Sequence, residues 1–152
     1  MKAGMTFHRN FINYLLPVIF WMGLIFWMST ETFSSQNTFS VVEPILRFLV
    51  PKLSSQRVDL IHALIRKSGH VIEYFILGLL LFRAFRGRST GSRNWRSAFF
   101  AIVVVVLWAA SDEFHQSFVP TRTASVMDVL IDTAGGVLAQ FVIILWHCYR
   151  KR

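Results

Sequence analysis

The sequence predicts an all-α membrane protein of four transmembrane helices, with an interfacial or re-entrant helical segment between the first and the second. Three observations predict it. The chain of 152 residues is 54% hydrophobic and only 16% charged. Its apolar residues gather in runs close to the roughly 20 residues that cross a bilayer. Its basic residues gather in alternate connecting segments, from which its acids are absent. The whole length, 1–152, reads as one membrane domain without an internal repeat.

The first span, 11–29, is built on the run Phe11–Met28, preceded by Lys2 and Arg9. No small-x-small cleavage pattern follows it, only Ser29-Thr30-Glu31-Thr32, so it reads as an uncleaved first helix rather than a removed signal. The link 30–66 is not featureless. Residues 41–50, VVEPILRFLV, are apolar, too short to span and interrupted by Pro44. Residues 54–66 open on Ser54-Ser55, a capping pair, and place Val58, Ile61 and Ile65 on one helical face. Both pieces read as helices lying in the interface or dipping back into it, either as a membrane-hugging linker or as a substrate lid.

The second span, 67–86, takes in Val71–Phe85 and reaches back to Lys67. GRSTGSRNW (87–95) is a flexible turn. The third span, 97–118, is short if it stops at Ala110, and reaches full length when Phe114, Phe118 and Val119 continue the helix through a polar patch. The fourth, 125–147, is the run Val126–Trp146 with its flanks. Tyr14, Trp21, Trp27, Trp95, Trp108 and Trp146 serve as interface belt or packing.

Short loops rich in Lys and Arg stay in the cytoplasm. Lys2 and Arg9, then Arg83, Arg86, Arg88, Arg93 and Arg96, then Arg150, Lys151 and Arg152 fall on one side with no acid among them. Arg47, Lys52, Arg57, Arg66, Lys67 and Arg122 share the other side with all eight acids. An even number of spans with both termini in the cytoplasm satisfies that division. In a soluble protein the net charge of +8 would suggest nucleic acid. Here there is no basic stripe interleaved with aromatics outside the spans, and nucleic acid is excluded as a partner. The single cysteine, Cys148, excludes an internal disulfide and a cysteine metal site. Nothing in the pattern specifies an oligomer.

Polar residues converge at one depth. The second span runs inward, so Lys67, His70, Glu73 and Tyr74 start near its outer end. The third runs outward and delivers Asp112, Glu113, His115 and Gln116 there. The fourth begins there with Ser125, Asp128 and Asp132. Each acid at the bilayer centre costs about 2.5–3.5 kcal/mol on insertion scales, so such a set needs compensation. Lys67, His70 and Tyr74 share a face by i, i+3 and i+4 spacing, as do Asp112, His115 and Gln116. Glu73 lies off its face by roughly 100°. Asp128 and Asp132 are i, i+4, continued by the small strip Gly135, Gly136 and Ala139, which permits close helix approach. Arg122 adds an always-charged group suited to phosphate or carboxylate. His8 and His62 lie outside the cluster and receive no role.

The strings KSGHVIEY (67–74), SDEFHQSFVPTRTASVMD (111–128) and DTAGG (132–136) resemble the VanZ-like family of bacterial membrane proteins. The shared pattern is K-x2-H-x3-Y, a D-E-x-H-Q block, an Arg turn, and D-x3-[ND]-x2-G. Thr121 departs from it, since Gly often precedes the Arg, and so does Asp132, where Asn is frequent. The resemblance implies a multi-pass protein of the bacterial cytoplasmic membrane. The family's namesake is linked to low-level resistance to the glycopeptide teicoplanin, and a relationship to enzymes that modify lipid head groups has been proposed for such folds.

The residues themselves support an outward-facing site for membrane lipids or lipid-linked envelope precursors. As an enzyme, a head-group hydrolase or transferase, it would hold phosphate oxygens with Lys67 and Arg122. His70, Tyr74, Gln116 and Ser125 would complete the binding surface. His115 would be the general acid/base, oriented by Asp112 or Glu113. Asp128 and Asp132 would activate a nucleophile or bind Mg²⁺ or Ca²⁺; a site without a cofactor is the other reading. A non-enzymatic module that shields an envelope polymer or lipid needs the same cations and carboxylates. An internal ion-pair network would also use them, though apolar packing holds a bundle together at lower cost. A small proton-coupled transporter is the least supported, because only His147 continues a titratable path inward.

Orientation is testable by labelling in a Cys148→Ala background. A cysteine at Thr90 is expected to react with an impermeant maleimide only from the cytoplasmic side, and one at Lys52 only from outside. Reaction of both from the same side would overturn the assignment.

Overall fold

The computed structural model describes residues 11–87, 94–122 and 124–150. Within them every regular element is helical. A π-helical turn, Phe11–Leu15, leads into α1, Leu16–Met28. Pro17 sits at the junction, where its missing N–H removes no bond that the first turn of α1 needs. A short 3-10 turn, Glu31–Phe33, then connects to α2, Ser35–Leu49. Ser34 caps α2 by accepting from the Asn37 N–H at 3.3 Å. Ile12–Met28 and Glu31–Leu49 are bent by 66° at this break.

α3, Ser55–Arg86, is one unbroken helix of 32 residues. At 1.5 Å per residue it is about 48 Å long, against a hydrocarbon core of about 30 Å. The sequence reading separates 54–66 from the span at 67–86; the structure joins them. Nothing between Arg66 and Val71 stops a helix, and a single interior glycine, Gly69, costs only about 1 kcal/mol. The helix ends at Gly87, whose φ of +54° is a left-handed conformation that L side chains rarely adopt. α4 is Asn94–Gln116, and α5, Val126–Tyr149, is capped by Ser125 Oγ accepting from Met127 N–H at 3.1 Å.

Three helices, α3, α4 and α5, are each long and apolar enough to cross a membrane, and the bent pair supplies up to a fourth. The outer surface agrees with that. Phe20, Leu107, Phe114 and Phe141 are among many large apolar side chains left more than half exposed, far beyond what a water-facing surface carries. α2 adds Val41, Ile45, Phe48 and Leu49 to the same apolar exterior.

The core sets small residues of one helix against larger ones of another. On α4, Ala98, Ala101, Val105 and Ala109 form a buried stripe at helical spacing. It packs with Leu77, Leu81 and Phe82 of α3. The tightest approach is between α3 and α5. A Cβ placed on Gly135 would lie 2.5 Å from the Val71 carbonyl oxygen of α3, while one on Gly136 would lie 2.6 Å from Val105 Cγ1 of α4. Gly78 faces the same crossing, 3.1 Å from the Gly136 carbonyl by the same construction. Gln140 Nε2 closes it by donating to the Gly78 carbonyl at 3.0 Å. The small-residue strip read from the sequence is therefore the contact surface, and it now includes Gly78.

Gly135→Ala must push α5 off the α3 backbone and is expected to destabilise the protein by about 1–3 kcal/mol. Gly23 of α1 has nothing within 4 Å of such a Cβ, so Gly23→Ala is expected to be neutral or stabilising by up to about 1 kcal/mol. Thermal unfolding of the purified variants in detergent measures both.

Candidate functional site

The inward stripe of α4 changes character as it ascends. After Ala109 it continues into Asp112 and Gln116, which are 2% and 3% exposed. Two donors reach one oxygen of Asp112: Ser29 Oγ at 2.7 Å and Gln116 Nε2 at 2.9 Å. Ser29, at the end of α1, was not among the residues singled out from the sequence. It ties the first helix to the third span.

Arg122 lies in the turn between α4 and α5. Its Nη2 donates to the carbonyls of Met28 at 2.7 Å, Phe33 at 2.9 Å and Thr30 at 3.1 Å. Those carbonyls belong to the frayed end of α1 and the turn after it, where helix geometry leaves acceptors unpaired. Arg122 thus fixes the bend between α1 and α2. Glu113 and Ser125 also build the frame: Ser125 N–H donates to Glu113 Oε2 at 2.7 Å while Ser125 Oγ caps α5. A carboxylate beside a helix N-terminus is electrostatically favourable.

The histidine–carboxylate pair differs from the one expected. His115 packs its ring on Phe26, with centroids 4.2 Å apart, and lines neither cavity described below. Asp112 and Glu113 turn to Ser29, Gln116 and Ser125 instead of to His115. His70 is the histidine that meets an acid: its Nδ1 lies 3.2 Å from Asp132 Oδ1, and the Asp132 side chain is completely buried. The contact is at ion-pair distance without the alignment of a hydrogen bond. One turn outward, Lys67 Nζ lies 3.2 Å from Asp128 Oδ1 at an exposed lip. Tyr74 is fully buried, and its hydroxyl has no partner among the described residues.

Two cavities open between α2 and α3. The outer one, about 440 Å³, runs from Ser35, Gln36 and Phe39 of α2 to Asp59, Lys67 and Asp128. The inner one, about 260 Å³, is bounded by Ser29, Thr38, Val42, Glu73 and Arg122. His62, Arg66 and His70 line both. His62, given no role from the sequence, is buried within 3.0 Å of Thr38 Oγ1 and edge-on to Phe39. It joins α2 to α3 between the two cavities. Glu73, off the expected face, belongs to the inner wall. The signal for His62 and Arg66 was available: with His70 and Tyr74 they form an i, i+4 series. It becomes visible once 54–66 and 67–86 are one helix.

The structure sets Lys67 against Asp128 and His70 against Asp132, and Arg122 shares the inner cavity wall with His70. Asp128 and Asp132 turn to different partners, Lys67 and His70. Among the described residues no group of three His, Cys, Asp or Glu side chains is arranged to hold a metal ion.

An all-helical chain with apolar walls and a polar chamber between its helices is a polytopic membrane protein. The family model VanZ/LLP1 matches residues 14–147, and the chain belongs to that family. The match takes in α1 and α2 as well as the motif-bearing helices. No curated protein and no solved structure matches.

Ser29→Ala strips a donor from buried Asp112 and is expected to cost about 1–3 kcal/mol. Thr30→Ala loses a hydroxyl bonded only to the Trp27 carbonyl at a more exposed position and is expected to cost less than about 1 kcal/mol. Comparing the unfolding midpoints of the two variants checks the difference.

Proposed function

We propose that this VanZ/LLP1-family protein works at the non-cytoplasmic face of the bacterial inner membrane, with both termini in the cytoplasm. Its chamber takes the head group of a membrane lipid or a lipid-linked envelope molecule. His70 transfers the proton in a hydrolysis or group-transfer step there. The observation that carries this reading is the placement of His70 in the walls of both cavities, with Nδ1 3.2 Å from fully buried Asp132.

A buried carboxylate behind an imidazole orients the ring and stabilises its protonated form, leaving the other nitrogen for the reacting group. Contacts of this kind are often long before substrate arrives and tighten in the complex. Lys67 and Asp128 stand at the lip, where a head group enters. Asp112, Glu113, Gln116 and Ser125 act by holding helices in place, and His115 is a packing residue. Tyr74, one turn along α3 from His70, carries a buried hydroxyl that has no partner among the described residues. Hydrolysis, head-group exchange and phosphoryl or glycosyl transfer all need such an acid/base residue, and the reading covers that class.

Lipid profiles of cells expressing wild type, His70→Ala or empty vector test it. The expected result is a head-group profile that departs from the empty vector with wild type and returns to it with His70→Ala. A profile indifferent to the protein, with lipid still co-purifying on it, would instead establish a binding or shielding role.

A further inference from the structure

The inner cavity holds two arginines that form no ion pair with a carboxylate among the described residues. Arg66 enters from α3 and Arg122 from the α4–α5 turn, and both line the same 260 Å³ space. Arg66 Nη1 and Arg122 Nε are buried without an acceptor. Glu73 is the single acid in the wall, so the cavity is net positive even with His62 and His70 neutral. Burial, and next the Arg66 charge, pull Arg122 below its ordinary arginine value, while Asp112, Glu113 and Glu73 pull it back. Two like charges brought together out of water are costly unless an anion joins them.

We propose that this inner cavity is a phosphate-binding site, with Arg66 and Arg122 gripping the phosphate oxygens from two sides. This rests on the reading of the chamber as a head-group site and names the group that it recognises. Phosphate fits better than a carboxylate: the Arg66 fork matches a pair of oxygens, and a phosphate keeps a further oxygen for Arg122 Nε, whose neighbours Nη1 and Nη2 are held by Gln116 and by backbone carbonyls. Arg122 is already held by three backbone carbonyls, so little of its freedom remains to be lost on binding. Met28, Phe33, Val42 and Ile65 give the wall an apolar side, and Ile65 is 49% exposed. A hydrocarbon tail attached to the phosphate can leave along that side.

Native mass spectrometry of the full chain in detergent tests the site with phosphatidic acid, inorganic phosphate and uncharged diacylglycerol as probes. Wild type is expected to retain phosphatidic acid over diacylglycerol. Arg66→Gln is expected to weaken that binding by at least about tenfold, the equivalent of one lost charge-assisted contact, and Arg66→Lys by less. Arg66 holds no backbone carbonyl, so its variants are the cleaner ones, and an unchanged unfolding midpoint confirms their fold. Competition by inorganic phosphate would identify the free anion as a sufficient ligand; lack of competition would identify the lipid phosphate. Equal binding by wild type and Arg66→Gln, or no binding of any phosphate probe to wild type, would overturn the site. If phosphate binding needs Arg66 but lipid profiles ignore His70, the site stands and the proton-transfer reading falls.

Discussion

The structure depends on one close contact, the backbone crossing of α3 and α5. Gly135 sits where any side chain would strike the Val71 carbonyl, and Gly78 completes the approach against Ala139 and the Gly136 carbonyl. Without a hydrophobic force to drive helices together in lipid, such contacts rely on van der Waals packing and interhelical hydrogen bonds. Gln140 supplies one of those bonds below the crossing. One turn above it, the same geometry sets Asp132 against His70. An acid buried that deeply in a membrane protein is tolerable only where a neighbouring helix brings a partner to it.

The other helices obey the same constraint. The inward faces are mainly apolar toward one end of the bundle and mainly polar toward the other. On α4 this is the passage from Ala98 through Val105 to Asp112 and Gln116. The polar end is closed by hydrogen bonds that cross between elements: Ser29 to Asp112, Ser125 to Glu113, and Arg122 to the end of α1. These bonds position α2, which in turn forms the far wall of both cavities. The chamber is therefore a product of its frame. Asp112, Glu113 and Ser125, which line neither cavity, help to decide its shape, while His62, Arg66, Lys67 and His70 give it its chemistry.

Much of this was legible in the sequence, because lipid imposes simple rules. Run length and the distribution of Lys and Arg define the helices. The i, i+4 spacing of Asp128 and Asp132, continued by glycines, marks the face of α5 that packs inward. Spacing fails where two faces must be rotated against one another. Asp112 and His115 lie on neighbouring helical positions, yet the small angle between them sends one to Ser29 and the other to Phe26. Arg66 and His62 were lost for a different reason. Treating 54–66 as a separate interfacial piece cuts a helical series at its middle, and hydropathy alone cannot tell a helix extending beyond the bilayer from one lying on it. The sequence offers Arg122 as a cation suited to bidentate contact with phosphate or carboxylate. A pattern of side chains carries no sign that three backbone carbonyls would claim one end of it.

The central claim is that the functional histidine–acid pair is His70 with Asp132 and not His115 with Asp112. Two double-mutant cycles on unfolding free energy test it most directly, one with His70→Gln and Asp132→Asn, the other with His115→Gln and Asp112→Asn. The account predicts non-additivity of at least about 0.5 kcal/mol for the first pair and additivity within error for the second. Coupling between His115 and Asp112, with none between His70 and Asp132, would contradict it.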